Sequence, residues 1–187
     1  MKRRTFMKQM TLTAAAMAVG CNDVTVEKAK TALVAKGAGK PNIIFIMADD
    51  LGYAELGCYG QKKIKTPNID RLCKAGMKFS DAYSGHAVCA PSRCTLMTGL
   101  HTGHSFVRQN LGTSYAGQLD IPLDTVTVAK LLKQAGYATA CCGKWGMGGP
   151  GTGGVPWKQG FDEFYGYLDQ WRAHSYYPEY LYHNDKQ

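Results

Sequence analysis

An apolar run that ends in two carboxylates limits the fold of this chain more than any other feature. Residues 42–48 are almost wholly apolar and rich in isoleucine, and Asp49, Asp50 and Gly52 follow closely. A short apolar run without polar alternation is typical of a strand buried on both faces, as in parallel sheets covered by helices. The sequence therefore predicts an α/β fold in which residues 42–48 form such a strand and the aspartates open a loop at its end.

Helical and strand patterns alternate along the rest of the chain. Three segments begin with proline and are closed by glycine, which predicts helices over 67–76, 91–97 and 122–136. Apolar segments predict strands over 77–83 and 137–142, and the Gly-, Pro- and aromatic-rich remainder is expected to form loops and short elements over one sheet edge. The alternation predicts a mainly parallel, mixed central sheet flanked by helices.

The N-terminus has the pattern of an export signal. Basic residues at positions 2–4 precede an apolar, Ala-rich stretch over 10–19, which is too short to span a bilayer permanently. Residues 3–8 resemble a twin-arginine signal, whose route carries folded proteins across the membrane, and we favour this over a general secretory leader. We therefore expect export from a bacterial cytoplasm.

Two cleavage positions fit the end of this signal. Ala16 and Ala18 satisfy the small-x-small rule for cleavage after Ala18, whereas residues 18–21 resemble an imperfect lipobox that would be cut before Cys21. The first leads to a periplasmic protein and the second to a lipoprotein tethered to a membrane by lipid on Cys21. The expected organisation is an export signal over 1–20, a flexible spacer over 21–40 and the folded domain over 41–187.

The net charge of +8 gives little support to a nucleic-acid partner. Four of the 22 basic residues lie within the first ten positions, which leaves 18 basic against 14 acidic residues, a surplus of +4. No Lys/Arg run in the sequence alternates with aromatic residues. Binding of nucleic acid is therefore not expected, and the small surplus suits an anionic substrate equally well.

The seven cysteines do not have the pattern of a disulfide framework. Their number is odd, and their spacing is unlike that of small disulfide-rich scaffolds. Cys141 and Cys142 are adjacent and poorly placed to bridge each other without strain in the backbone. We therefore predict no disulfide from the sequence.

Distant segments bring polar groups to one edge of the predicted sheet. Asp49 and Asp50 follow the first strand and Lys144 follows the last, and ligands of open α/β sheets bind at the carboxyl ends of strands. Two carboxylates at the end of a buried strand repel each other unless a cation neutralises them, and Ca²⁺ or Mg²⁺ is the natural occupant. A solvated turn in which one aspartate caps the next helix is the alternative.

A cysteine directly before a predicted helix adds a candidate nucleophile. The backbone N–H groups at the start of that helix would favour a Cys89 thiolate, and Arg93 lies one turn further on, where it could hold an anion. Lys144 could hold a sulfate or phosphate oxygen as a point charge. The alternatives are a buried structural cysteine and a solvated loop lysine. The residues indicate a metal and anion site without choosing between sulfate and phosphate.

Four segments resemble one known family. Residues 89–99 match the pattern C-x-P-S-R-x-x-x-(L/M)-T-G, the sulfatase signature, and residues 136–145 resemble the second signature of that family. Residues 41–52 resemble its opening strand and metal loop, and residues 67–72 also follow its pattern. From about residue 41 onward the chain resembles the N-terminal part of the type I, formylglycine-dependent sulfatases, which are arylsulfatase-like members of the alkaline-phosphatase-like superfamily.

The resemblance implies a site and a reaction. Cys89 would be oxidised by a formylglycine-generating or anaerobic maturation enzyme to formylglycine, whose hydrate attacks sulfur with one hydroxyl and expels sulfate with the other. Asp49, Asp50 and the modified Cys89 would bind Ca²⁺, with Mg²⁺ as the second candidate. Arg93 would stabilise the ionised hydroxyl and Lys144 the sulfate.

The chain departs from the family in two respects. Many members have a histidine where this chain has Gly146, and His174 is the candidate substitute, with an ordinary surface histidine as the alternative and His104 as a weaker candidate. Family enzymes are several hundred residues long, and the remaining metal ligands would follow Gln187. We therefore expect an incomplete N-terminal part of the catalytic domain that is inactive alone.

The resemblance implies a sulfuric ester hydrolase whose natural substrate stays open. Sulfated polysaccharide would suit a rim of aromatic residues, which an aromatic-rich core segment would explain equally well: Tyr165, Tyr167, Trp171, Tyr176 and Tyr177. The nearest alternative function is a phosphonate or phosphodiester hydrolase of the same superfamily. A non-catalytic surface lipoprotein that binds sulfated glycans is the alternative from another class, and a cytosolic thiol enzyme comes third.

Overall fold

The computed structural model describes residues 39–110, 112–113 and 117–187. The contacts within the chain divide it into two units, Met1–Ala48 and Asp49–Gln187. The expected export signal, Cys21 and the expected spacer up to residue 38 lie outside the described residues. No helix within the described ranges is long and apolar enough to cross a membrane.

The described part of the first unit contains neither a helix nor a strand. Ile44 and Ile46 are 86% and 83% exposed. The prediction of a buried strand over 42–48 is therefore wrong for this structure. A strand forms only where its backbone N–H and C=O groups pair with a neighbouring strand, and residues 42–48 pair with none in the part of the chain that the structure describes.

The second unit contains short helices and strands joined by turns. In chain order these are α1 (Pro67–Ala75), α2 (Cys89–Thr98), β1 (Gly112–Thr113), β2 (Gly117–Gln118), α3 (Val128–Gln134), β3 (Ala140–Lys144), β4 (Glu163–Tyr167), α4 (Gln170–Ala173) and β5 (Tyr182–His183). Single 3₁₀ turns lie at Tyr53–Glu55, Gly57–Tyr59 and Pro156–Lys158.

The sheet of the second unit is mixed. β3 and β4 pair in parallel, with Ala140 opposite Glu163 and Lys144 opposite Tyr167, and β5 pairs antiparallel with β4. β1 and β2 form a separate antiparallel pair. The expectation of an α/β fold with a mixed sheet flanked by helices is confirmed. The parallel pair ends at Lys144, which puts this lysine at the carboxyl edge of β3.

Local signals explain where the helices begin and end. α1 begins at Pro67 and ends before Gly76, as the sequence predicts. α2 begins at Cys89, earlier than predicted, and ends at Thr98, before Gly99, whose φ of 68° lies in the left-handed region that glycine favours. α3 begins only at Val128, because Thr127 caps it and accepts the Lys130 N–H over 3.2 Å.

The strand predictions hold in part. Residues 77–83 form no strand, so that prediction is wrong. The strand predicted over 137–142 forms instead as β3, from Ala140. The backbone N–H of Thr139 donates to Asp162 Oδ2 over 2.9 Å, and its hydroxyl donates to Gly160 O over 2.6 Å, so the ladder begins one residue later.

The core surrounds β3 and β4. Trp145 is 1% exposed, stacks edge-to-face on Phe161 with 5.8 Å between ring centroids, and donates its Nε1–H to Gly154 O over 2.8 Å. The other fully buried apolar side chains include Phe164, Ile121, Met147, Leu168, Val107 and Val155. Trp145, which directly follows Lys144, is therefore fixed by packing, and this helps to hold the lysine in place.

Candidate active site

The structure brings together polar residues from separate elements of the second unit. Asp49 and Asp50 begin this unit, Cys89 and Arg93 lie in the first turn and a half of α2, and Lys144 ends β3. α2 is seated by the Ala90 N–H, which donates to Asn110 Oδ1 over 2.9 Å. The structure therefore places residues of these segments close together, although no strand forms over residues 42–48.

Cys89 lies between an acidic side chain, Asp49, and a basic one, Lys144. Its Sγ is 3.7 Å from Asp49 Oδ1, and Lys144 Nζ is 3.4 Å from the same sulfur. The side chain is half-buried. Cys89 is therefore neither a fully buried structural cysteine nor an isolated surface thiol, since charged groups from two other segments surround it.

Asp49 is the centre of the charge network. Its Oδ2 accepts hydrogen bonds from Arg93 Nη2 over 2.9 Å and from Lys144 Nζ over 2.7 Å. Burial alone would raise the pKa of the Asp49 carboxyl, but the hydrogen bond and charge of Lys144, followed by those of Arg93, lower this pKa below its ordinary value. Asp49 is therefore held ionised, with Oδ2 toward the cations and Oδ1 toward Cys89.

Arg93 links the helix to the end of β3. Its Nη1 donates to the backbone carbonyl of Lys144, and its side chain is 15% exposed. The buried Nε of Arg93 has no hydrogen-bond partner among the described residues. An unpaired N–H beside an ion pair is costly, and an anionic oxygen would satisfy it.

His174 reaches the same cluster from the turn after α4. Its Nε2 is 3.4 Å from Lys144 Nζ, although the residue itself is exposed. The structure thus places this candidate beside the other site residues. The ring of His104 instead lies edge-on to that of His101, with 6.4 Å between their centroids.

Three ligand atoms are close enough to hold one metal ion. Single atoms of Asp49, Asp50 and Cys89 all lie within 4.8 Å of one another. Asp50 reaches this position with a φ of 55°, in the left-handed region that side chains other than Gly, Asn and Asp seldom adopt. Two carboxylates suit a hard divalent cation, and the residues present therefore fit Ca²⁺ or Mg²⁺.

Sequence reasoning missed Gln170, which explains Gly146. A Cβ at Gly146 would lie 1.7 Å from Gln170 Nε2, so the glutamine fills the space that a side chain at 146 would need. Gln170 is 2% exposed, and its Oε1 and Nε2 lack partners among the described residues. No sequence pattern could have indicated this, because a lone glutamine in a short helix resembles a surface residue.

Most of the aromatic residues proposed as a sugar-binding rim have exposed side chains. Tyr165, Trp171, Tyr176 and Tyr177 are exposed by 54%, 84%, 79% and 95%. Tyr167 donates its hydroxyl to Tyr176 O over 3.4 Å. Within the described chain these four rings are therefore not part of a core, which removes the aromatic-core alternative for them.

The comparisons with known proteins identify the family of this chain. Residues 41–187 match the family model described as Sulfatase. The human steryl-sulfatase is 42% identical over 138 residues, which are 69% of this chain and 24% of the relative. The N-acetylgalactosamine-6-O-sulfatase of Bacteroides thetaiotaomicron is 43% identical over 141 residues, or 74% of this chain and 26% of the relative. This chain belongs to the sulfatase family.

Solved structures support the same family. The crystal structure of Ps i-CgsB in complex with k-i-k-neocarrahexaose is 39% identical, with a TM-score of 0.67 over 80% of this chain and 37% of that chain. The structure of BT4656 with D-glucosamine-2-N,6-O-disulfate is 37% identical, with a TM-score of 0.52 over 68% of this chain and 23% of that one. The chain spans about a quarter of the length of the curated relatives it matches.

Proposed function

We propose that this chain supplies the nucleophile and anion-binding part of a sulfatase, a hydrolase of sulfuric esters. One observation carries the proposal: in a member of the sulfatase family, Cys89 lies within 3.7 Å of Asp49 and 3.4 Å of Lys144. Cys89 is the position converted to formylglycine by a separate maturation enzyme. Asp49 and Asp50 hold Ca²⁺, with Mg²⁺ as the second candidate.

The residues around Cys89 divide the work by charge. Lys144 and Arg93 bind the anionic oxygens of the ester, and the buried unpaired Nε–H of Arg93 is a further donor in this position. His174, next to Lys144, exchanges a proton with the nucleophile or the leaving oxygen. When bound, the metal and the formylglycine hydrate supply a hydroxyl of lowered pKa as the attacking group.

We propose sulfated glycans as the substrate class. The two solved structures named above contain a neocarrahexaose and a glucosamine disulfate. The exposed ring of Trp171 lies in α4 just before His174, and those of Tyr176 and Tyr177 lie just after it, where they could stack on sugar rings. Among sulfatase substrates, this favours glycosides over small aryl esters.

Export is part of the proposal. The twin-arginine pattern at residues 3–8 supports passage across the membrane after folding. The exported protein is then either periplasmic or anchored to a membrane by lipid on Cys21. Maturation of Cys89 before export is consistent with that route. Mass analysis of the mature N-terminus would distinguish cleavage after Ala18 from a lipidated Cys21.

The first test is the mass of the tryptic peptide that contains Cys89 and ends at Arg93. After coexpression with a maturation enzyme, we expect sulfur to be replaced by oxygen with loss of two hydrogens. A Cys142→Ala variant should show the same conversion. A thiol that persists at Cys89 with a competent maturation system would contradict the nucleophile assignment and favour a non-catalytic glycan-binding protein.

A second test separates sulfate from phosphate chemistry. The matured, full-length protein that contains this chain is assayed with matched sulfate and phosphate esters of one alcohol. We expect faster hydrolysis of the sulfate. Preferential hydrolysis of the phosphate ester, with conversion of Cys89 confirmed, would favour the phosphonate or phosphodiester hydrolase alternative.

A further inference from the structure

The turn Gly57–Tyr59 is held closely against α1. The N–H of Gly57 donates to Thr66 Oγ1 over 2.8 Å, and the N–H of Cys58 donates to Asp70 Oδ1 over 2.7 Å. A Cβ at Gly57 would lie 2.5 Å from Asp70 Oδ2, so a larger residue could not approach α1 as closely. The position of Cys58 relative to the helix is therefore fixed by backbone contacts.

A second cysteine lies on the face of α1 that the turn contacts. Cys73 follows Asp70 by three residues, which puts the two side chains on the same side of the helix. Cys73 is close enough to Cys58 to be one of the groups that raise the pKa of its thiol. Both cysteines are half-buried and free in the structure. The fold thus brings together two thiols that are far apart in sequence.

The ionisation of Cys58 is consistent with this arrangement. Desolvation first, and then the neighbouring Cys73 thiol and the Asp70 carboxylate, raise the pKa of the Cys58 thiol. A thiol with a raised pKa is mostly protonated at neutral pH and reacts slowly with alkylating reagents. A Cys58 thiolate would be repelled by the Asp70 carboxylate and by a Cys73 thiolate, whereas an uncharged disulfide would not be.

We propose that Cys58 and Cys73 form a disulfide when the chain meets a disulfide donor. The cysteine count and spacing predict no disulfide, and the juxtaposition of the turn with α1 reverses that expectation for this pair. The pair lies outside the Asp49, Cys89 and Lys144 cluster, and the proposal does not depend on sulfatase activity.

The oxidant is a disulfide of the thiol–disulfide exchange class, such as glutathione disulfide or an oxidised thiol oxidoreductase. One thiolate of the pair attacks a donor sulfur, forming a mixed disulfide and releasing one donor thiolate. The second thiolate of the pair then attacks the protein sulfur of that mixed disulfide and releases the other donor thiolate. The pair loses two protons and two electrons, and the donor becomes two thiols.

The link would restrain the loop that carries the two aspartates. Gly57 follows Asp50 after a short loop and the turn Tyr53–Glu55. A covalent tie between Cys58 and α1 would fix the far end of that loop. The effect on Asp49 and Asp50 is one of positioning, because neither cysteine touches the metal site in the described structure.

The test measures the redox equilibrium of the pair in the 187-residue chain. Folded protein is equilibrated in glutathione buffers, quenched, alkylated and digested with trypsin. We expect a peptide that ends at Lys62 cross-linked to residues 72–74, with an equilibrium constant at least about tenfold larger than the same chain gives in 8 M urea, because only the fold raises the effective concentration of the two thiols.

Matched variants distinguish this pair from random oxidation. Cys142→Ser removes an exposed cysteine outside the pair and should leave the cross-linked peptide unchanged. Cys73→Ser should leave Cys58 free to be alkylated in oxidising buffer. Equal equilibrium constants with and without urea, or a folded chain in which Cys58 pairs with another cysteine, would overturn the proposal.

Discussion

The second unit has two segments that are held in different ways. From Asp49 to Cys89 no described side chain is buried, and the segment is held by hydrogen bonds such as the one from Tyr59 Oη to Phe79 O, over 2.8 Å. From Ala90 onward lie all the buried apolar side chains of the described residues. The candidate site draws from both: Asp49 and Asp50 from the first, Arg93 and Lys144 from the second.

The difference shows which half of the site is rigid. Lys144 precedes the buried Trp145, so its position follows from core packing. Asp49 has no such support and is held by its ion pairs with Lys144 and Arg93. We therefore infer that Lys144 and Arg93 orient Asp49. Asp49 should be the first of these residues to move when one of the charges is removed.

The largest expected effect is that of Cys89→Ala on turnover. We expect a loss of at least about a thousandfold in kcat for sulfate ester hydrolysis by the matured, full-length protein that contains this chain, because the nucleophile is removed. The free energy of unfolding should change by no more than about 1 kcal/mol, since the side chain is half-buried. Turnover equal to that of the Cys142→Ala control would break the assignment.

Truncation of one large side chain in each segment compares their packing directly. Trp145→Ala should lower the free energy of unfolding by about 3–5 kcal/mol, because it removes a buried ring and its hydrogen bond to Gly154. Leu72→Ala, in a helix of the first segment and 70% exposed, should cost less than about 1 kcal/mol. Urea unfolding of both variants measures the difference, and equal costs would contradict the contrast.

Adding one methyl group tests how tightly each segment is packed. Gly146→Ala should destabilise by about 1–3 kcal/mol beyond the cost of its φ of 80°, because its Cβ would meet Gln170. Gly60→Ala is the matched control in the first segment, with a φ of 102° and open space around the Cβ, so only backbone strain of about 1 kcal/mol is expected.

The contact with Gln170 can be isolated by a double-mutant cycle in thermal unfolding. Gln170→Ala should remove most of the extra cost of Gly146→Ala and leave the cost of Gly60→Ala unchanged. If Gly146→Ala and Gly60→Ala are equally destabilising in the parent chain, the glutamine does not occupy that space.

The smallest expected effects are pKa changes of the two paired aspartates. Lys144→Met should raise the pKa of Asp49, since the strongest interaction that lowers it is lost. Lys133→Met should raise the pKa of Asp162 instead, which Lys133 and then Thr139 hold at about 2. Carbon-13 NMR titration of the carboxyls measures both pKa values. A change in the pKa of Asp162 in the Lys144 variant would contradict the assignment.

The lowered pKa of Asp162 also determines how the stability of the fold changes in acid. A carboxyl whose pKa is lower in the folded state stabilises the fold above its unfolded pKa, and this contribution is lost as pH falls through the folded pKa. For Asp162 that window runs from about pH 4, the ordinary aspartate value, down to about 2. Asp162→Asn should therefore flatten the decline of Tm in this window.

Local signals in the sequence predicted what depends on neighbours in the chain. Pro67 and Gly76 set α1, and the position of Lys144 after an apolar segment put it at the sheet edge beside Cys89 and Asp49. Residues 42–48 carry a strong strand pattern, yet strand formation requires a partner that local pattern cannot supply. The pairing of Arg93 with Asp49 was likewise not predictable, because it depends on how α2 is oriented.

The contacts between individual site residues could be identified only from the three-dimensional structure. His174 became a candidate only through the family resemblance, and the structure puts its ring beside Lys144. Gln170 had no signal at all, since its importance comes from the empty space left by Gly146. Cys58 and Cys73 could not be paired from spacing, because their proximity depends on the turn packing against α1.

The Asp49 carboxylate can bind either the cationic side chains of Lys144 and Arg93 or a divalent metal ion. In the described structure Lys144 and Arg93 occupy its Oδ2, so a divalent cation at Asp49 and Asp50 must compete with two positive charges for one carboxylate. An anion that engages Lys144 and Arg93 would weaken that competition. By thermodynamic linkage, anion and cation would each increase the affinity of the site for the other, so that substrate binding itself would strengthen the hold on the metal.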